Sequence, residues 1–468
     1  MKKAGILLHI SSLPGSMGIG TFGKEAYNFV DFLYYSGQTY WQILPLGPTT
    51  YANSPYQSPS IYAGNPLFID LIQLKDEGLI DELKYFEDNT KVDYEEVISR
   101  NRKILDSVKV IKDDFYYDFI KDNNWVYEYA SYTVLKRYHH NKPWYLWDIK
   151  YRNRNQKALN QFIDENYDAI EKEIYIQYLF YKQWHQLKNY ANIQGIKIIG
   201  DVPIYVSYDS VEVWSNPEIF QLDENKYPLQ VAGVPPDYFS KTGQLWGNPL
   251  YDWDYLKQSN YKWWLDRIAY ALKLYDVIRI DHFRGFSAYF SIPFGSKDAT
   301  NGKWIEGPGI DFFKEVVGLY GDERIIAEDL GQYDLKLQEL LDYTNFPGMK
   351  VLQFELLDPH FKVNLKKIKK NTIVYTGTHV NDTLVGWFNH LSQSTQNKII
   401  KFLKVKSPDN IHLDIIELAY QTKAKIVIIP IQDFLGLDSE YRMNTPGKVD
   451  NNWTYRLRKD QLTNKLAN

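Results

Sequence analysis

Side chains able to do acid, base or nucleophilic chemistry collect at one kind of place in this 468-residue chain, the polar ends of short apolar runs. Asp201 closes such a run, Arg279, Asp281 and His282 close a second, Glu328 and Asp329 a third, and His379 a fourth. Two carboxylates brought from different strands to one cleft are what glycosidic chemistry requires. One attacks or stabilises the anomeric carbon while the other carries a proton to and from the leaving oxygen, and a retaining pair stands roughly 5 to 5.5 Å apart. Arg279 lies two residues before Asp281, so on a strand it is expected to share that face, where a cation can hold a carboxylate ionised. Asp281 therefore suits the nucleophile. Glu328 follows the apolar residues 325–327, and apolar surroundings raise a carboxyl pKa, which suits a general acid/base.

These residues need elements that converge. Eight runs rich in β-branched residues, at 5–12, 40–46, 196–204, 277–283, 324–330, 349–355, 372–379 and 425–432, read as buried parallel strands. Amphipathic stretches such as 24–36 and 261–274 lie between them with helical spacing. Eight alternations of strand and helix close into a (β/α)₈ barrel of the α/β class, whose active sites form at the carboxyl ends of the strands. The alternative, a doubly wound open sheet, lacks a GxGxxG or GxxxxGK[ST] loop after any strand. Two gaps exceed a simple crossover. Residues 73–190 read as a largely helical insertion after strand 2, and 205–259, rich in Pro, Gly, Trp and Tyr, as a long loop insertion over the barrel mouth. The whole of 1–468 is expected to be one catalytic barrel carrying these two insertions.

Composition narrows the partners. Lys+Arg 54 against Asp+Glu 58 gives a formal charge of -4, which offers no broad positive field for nucleic acid or anionic lipid. With no cysteine the chain has no disulfide, thiolate zinc site or cysteine nucleophile, in keeping with a reducing, cytoplasmic location. The opening MKKAGILLHISSLPG carries an apolar run broken by His9 with no cleavage pattern after it, so it reads as a buried strand and not a signal peptide. No stretch is apolar for the roughly 18 to 20 residues that span a bilayer. Calcium-loop and organic-cofactor signatures are absent, so neither metal nor cofactor is expected.

The strings IRIDHFRG (278–285), AEDLG (327–331) and YTGTH (375–379) resemble the catalytic strand ends of the 4-α-glucanotransferase family, the amylomaltases and plant-type disproportionating enzymes, related to the α-amylase clan. SPYQSPSIYAGNP (54–66), IIGDVPIYVS (198–207), PPDYFSKTGQLWGNPLYDW (235–253) and NTPG (444–447) carry the similarity over nearly the whole chain. The resemblance implies a retaining transfer of α-1,4-glucan segments between maltooligosaccharides through a covalent glucosyl-enzyme. Asp281 would be the nucleophile and Glu328 the general acid/base. It further implies that His282 and His379 hydrogen-bond the sugar at the cleavage point, that Arg279 orients the nucleophile, and that Asp201 and Tyr56 line the same pocket. Gln244 and Trp246 would sit on the acceptor side, with Tyr56 and Trp246 as stacking platforms.

One position departs from the pattern. Where the family has an Asp after GTH that grips sugar hydroxyls, this chain has Val380, with Asp382 two residues on. The resemblance then implies an impaired enzyme, unless a neighbour supplies the missing carboxylate. Two other readings share the scaffold: an α-glucan hydrolase, because water attacks the same intermediate, and a glucan-binding pseudoenzyme.

Overall fold

The computed structural model describes residues 2–236, 240–331, 333–357, 365 and 368–468. Residues 237–239, part of the PPDYF segment singled out above, lie outside that set. Eight parallel strands build one sheet: β1 (Lys3–Leu7), β2 (Tyr40–Gln42), β3 (Lys197–Val202), β4 (Val277–Ile280), β5 (Ile325–Ala327), β6 (Gly348–Val351), β7 (Thr372–Tyr375) and β8 (Ile426–Pro430). Their order is β6-β7-β8-β1-β2-β3-β4-β5. The first and last strands are therefore neighbours, with Lys3 opposite Ile426 and Leu7 opposite Pro430. Every residue of β4 and β7 is buried, as parallel strands covered on both faces require. The helices Lys24–Tyr35 and Lys262–Leu274 cover the sheet with buried residues at helical spacing, Ala26, Phe29, Val30 and Leu33 on the first.

All eight expected strands are present and form a nearly closed barrel. Most end several residues earlier than the apolar runs suggest, because at the mouth the chain leaves the ladder to aim side chains inward. Single bonds still tie it there: Asp281 N–H donates to the Val202 carbonyl at 3.0 Å and Glu328 N–H to Ile280 at 3.1 Å. Between β2 and β3 the chain is mostly helical, with the helices Tyr94–Asp106, Asp114–Asp122, Trp125–Tyr138, Gln156–Glu165 and Tyr167–Ile193. Aspartates 93 and 113 cap the first two by accepting from the N–H groups of Glu96 and Tyr116.

The segment after β3 differs from the loop expected there. Gln230–Val234 and Gln244–Pro249 are strands, and they join Ala288–Pro293 and Lys303–Glu306, which follow β4, in a four-stranded antiparallel sheet. Gly233, Gly247 and Pro249 interrupt the alternation that marks a strand, and the pairing partners come from the far side of β4.

Closure between β5 and β6 is made differently from the other seams. One backbone bond, Ala327 N–H to the Pro347 carbonyl at 3.0 Å, is extended by the Asp329 carboxylate, which accepts from Met349 N–H at 2.8 Å. A Cβ at Gly348 would stand 2.7 Å from an Asp329 oxygen, so glycine is what lets the carboxylate reach the strand. Asp329, read from the sequence as part of the charged mouth, is thus a side-chain rung of the barrel. Asp329→Ala should leave the half-buried Met349 N–H without its partner and cost roughly 1 to 3 kcal/mol. Thermal or urea unfolding of parent and variant measures this, and an unchanged midpoint would refute the rung.

Candidate active site

The carboxyl ends of β3, β4, β5 and β7 bring the expected residues to one mouth, centred on a buried guanidinium. Arg279 Nη1 contacts both Asp201 oxygens at 2.9 and 2.8 Å and Asp281 Oδ1 at 2.9 Å. Strand register explains the triangle, since Asp201 pairs with Arg279 across β3 and β4 and Asp281 lies two residues further along the same face. Asp201 has no exposed side-chain surface and Arg279 almost none, whereas Asp281 is 28% exposed. Of the two carboxylates on this cation, Asp281 is the one open to a ligand.

Tyr56 completes the inner wall. Its hydroxyl donates to Asp201 Oδ2 at 2.7 Å, and its ring stacks on His379 with centroids 4.9 Å apart and planes at 15°. One face of Tyr56 is therefore taken by an imidazole, so it offers a sugar at most the other. Burial, then the charge of Arg279, pushes the His379 pKa well below its usual value, and this imidazole is neutral at physiological pH. Burial also lifts Asp201 to about 6 against the opposing pull of Arg279.

Glu328 is placed by backbone donors. Its Oε2 accepts from His282 N–H at 2.7 Å and its Oε1 from Leu330 N–H at 3.0 Å. Burial is the largest influence on it, and the pKa stands near 7 although Arg279 and the two donors pull it down. A carboxyl poised there can give and take a proton at neutral pH. His282 turns the chain between the two carboxylates through a left-handed φ of 51°, a conformation that costs a non-glycine residue energy and clusters at functional sites. Its ring lies edge-on to Trp246 at 4.9 Å, and its buried Nε2 has no partner among the described residues. Burial and the nearby Arg284 lower its pKa to about 4, so it is a neutral donor or acceptor with one valence open. Such an orphan atom in a site calls for a ligand group or a water.

The remaining expected residues sit further out. Gln244 is exposed, and its side-chain oxygen accepts from the Trp246 indole at 3.1 Å. Val380 is half-buried on the loop after β7, where its carbonyl accepts from Arg442 at 2.6 Å. Asp382 is not aimed as a free carboxylate: Oδ1 accepts from Thr383 N–H at 2.8 Å and Oδ2 from the Ser439 hydroxyl at 2.6 Å. Three contributors escaped the sequence reading. Trp453 stands 6.0 Å from both the Tyr56 and His379 rings. Glu212 accepts from Ile61 N–H at 2.9 Å and steadies the loop that carries Tyr56. Asp433, just past β8, accepts from the Thr376 hydroxyl at 2.6 Å and Leu384 N–H at 2.8 Å, bracing the loop that carries His379 and Val380. The strand-end rule that found Asp281 would have found Asp433 had it been followed one residue beyond 432. Among the described residues no group of three His, Asp or Glu side chains is gathered to hold a metal ion.

An eight-stranded parallel barrel with a carboxylate–guanidinium centre at its carboxyl mouth, beside a carboxyl titrating near neutrality, defines a (β/α)₈ enzyme. The family model described as 4-alpha-glucanotransferase matches residues 8–463, and the chain belongs to that family. It is 44% identical to a 4-alpha-glucanotransferase of Clostridium butyricum over 98% of this chain and 97% of that one, and 38% identical to one of Thermus thermophilus over 98% and 95%. The structure of an amylomaltase from Streptococcus agalactiae in complex with acarbose superposes with a TM-score of 0.96 at 41% identity, covering 100% of this chain and 97% of that one. No helix among the described residues is long and apolar enough to cross a membrane.

The pKa of Glu328 makes a signed prediction. Raised in the folded chain from the usual 4.5 to about 7, the group favours the fold below about 4.5, and that contribution is lost as pH rises through 7. Asp201, Asp433 and Glu212 behave alike, so only a variant isolates Glu328. The stability of Glu328→Gln relative to the parent should rise between about pH 4.5 and 7 and level off above. A difference independent of pH across that window, measured by denaturant titration, would contradict the assignment.

Proposed function

We propose that this chain transfers α-1,4-glucan segments between maltooligosaccharides by a retaining double displacement. The observation that carries the reading is the asymmetry of the two carboxyls. Asp281 is ion-paired to Arg279 and partly open, while Glu328 is buried and titrates near 7. An Asp281 oxygen attacks the anomeric carbon as Glu328 donates its proton to the departing glycosidic oxygen, leaving a covalent glucosyl-enzyme. The Glu328 carboxylate then takes the proton from the 4-hydroxyl of an acceptor glucan, whose oxygen displaces Asp281 and re-forms the α-1,4 link. The two carboxyls are to face each other at roughly 5 to 5.5 Å in the bound state. His282 through Nε2 and His379 hydrogen-bond the sugar at the cleavage point, Asp201 and Tyr56 form the wall behind it, and Trp246 with Gln244 borders the acceptor. Work is confined to the cytoplasm, in keeping with a chain that has no cysteine.

Val380 makes this a slow catalyst. Its branched apolar side chain cannot accept from sugar hydroxyls, and Asp382 is committed to Ser439 and its own loop. A charged hydrogen bond that tightens as the ring flattens toward an oxocarbenium ion acts on the barrier, and losing one costs ~10²–10³-fold in rate.

Incubation with maltotriose tests the reading: a ladder of longer and shorter oligomers is expected, whereas glucose and maltose alone mean hydrolysis, and binding without turnover means a pseudoenzyme. Val380→Asp should raise the transfer rate at least about 100-fold with little change in melting temperature, and a revertant no faster than its parent removes the proposed role of that carboxylate. In the faster background Asp281→Asn should abolish turnover while oligosaccharide binding persists, because an amide keeps the shape and cannot attack. Near-normal transfer would show that another residue forms the covalent bond.

A further inference from the structure

A second aromatic site opens beside Trp246. A cavity of about 310 Å³ lies between the helical insertion, which supplies Tyr145, and the segments that flank the antiparallel sheet, which supply Tyr208, Tyr227 and Phe294; Trp246 lines the same cavity. The Tyr145 and Tyr208 rings are stacked with centroids 4.4 Å apart and planes at 7°, and Tyr227 and Phe294 lie 6.4 Å apart at 28°. Phe294 is 48% exposed, so part of its ring is open to a ligand in the cavity.

The rings are held, not loose. The Arg152 guanidinium lies over Tyr227 at 5.3 Å, the Tyr208 hydroxyl donates to the Lys226 carbonyl at 2.6 Å, and the Trp144 indole donates to the Tyr208 carbonyl at 2.7 Å. Beneath them the Asp209 carboxylate accepts from the Tyr132 hydroxyl at 2.8 Å and Trp144 N–H at 3.1 Å, fastening the slot to the helical insertion. Polar groups at the edges are unspent. The Gln57 amide, the Ser207 hydroxyl and the hydroxyls of Tyr145 and Tyr227 make no hydrogen bond among the described residues. Fixed aromatic faces bordered by free hydroxyl and amide groups match the chemistry of a pyranose, which has an apolar face and a rim of hydroxyls.

We infer that this slot binds glucose units of an α-1,4-glucan beyond those at the cleavage point, so that the enzyme prefers acceptors long enough to pass Trp246 and reach Tyr227 and Phe294. The inference rests on the glucan reading of the mouth and adds a chain-length preference to it. Trp246 connects the two regions, with its ring against His282 at 4.9 Å and its side chain lining the slot.

Calorimetric titration of the full chain with maltotriose and with maltoheptaose tests it independently of turnover. The parent should bind the heptaose more tightly, and Phe294→Ala should lower the heptaose-to-triose affinity ratio by about 5- to 10-fold, the worth of one aromatic platform. Phe294→Trp, which restores a platform at the same exposed site, should recover the ratio, and melting curves show that each variant is folded. A parent with equal affinity for both oligomers, or a Phe294→Ala ratio equal to the parent's, overturns the slot. If the parent binds neither oligomer, the glucan reading itself falls and the slot with it.

Discussion

The mouth depends on one cation shared by two carboxylates. Arg279 is almost fully buried, and without Asp201 and Asp281 its charge would be prohibitively placed; without Arg279 two carboxylates would face each other in a poorly solvated cleft. The two partners differ in what else they touch. Asp201 has no exposed side-chain surface and receives the Tyr56 hydroxyl, so it is part of the wall, while Asp281 keeps an open side. Burial is the largest influence on the protonation of Glu328, His379 and Asp201, and on each of the three the same cation pulls the proton affinity down. Parallel strand register supplies this arrangement with no adjustment of the backbone, because residues at successive inward positions of β3 and β4 already stand side by side.

What was legible in the sequence is what strand periodicity encodes. Asp281 and Glu328 each stand just past a buried strand, with Arg279 two residues before Asp281, and an inward-facing charge at such a point has few purposes other than chemistry. Glu212 was not legible, because its work is to satisfy the backbone N–H of a loop that comes near only in the fold. Glu212 reaches Ile61 across 151 residues of chain, and no local pattern announces such a partner. The antiparallel sheet was missed for a related reason: its strands are short, broken by Gly233 and Gly247, and paired through segments on opposite sides of β4. Asp329 was visible but misjudged, since a carboxylate that completes a barrel seam and one that does chemistry look alike in a single sequence.

The loop after β7 separates shape from reactivity. Asp433, Arg442, Asn381 and Asp382 hold its backbone and its ends; Asn381 accepts from both the Thr378 N–H at 2.9 Å and the Thr378 hydroxyl at 2.8 Å. None of these bonds uses the side chain at position 380. The loop is therefore indifferent in shape to what stands at its tip, which explains how a valine can occupy that position in an otherwise intact site.

The pairing of β1 with β8 has a consequence for biosynthesis. Lys3 finds its neighbour Ile426 only after some four hundred further residues have left the ribosome, which at about 5 to 20 residues per second takes on the order of tens of seconds. During that interval the nascent sheet from β1 to β5 exposes two raw edges, a state prone to pairing with other chains. The long helix Tyr167–Ile193 packs against Lys24–Tyr35 and β3, so it covers one face of this half-barrel and leaves both edges to the strands that follow.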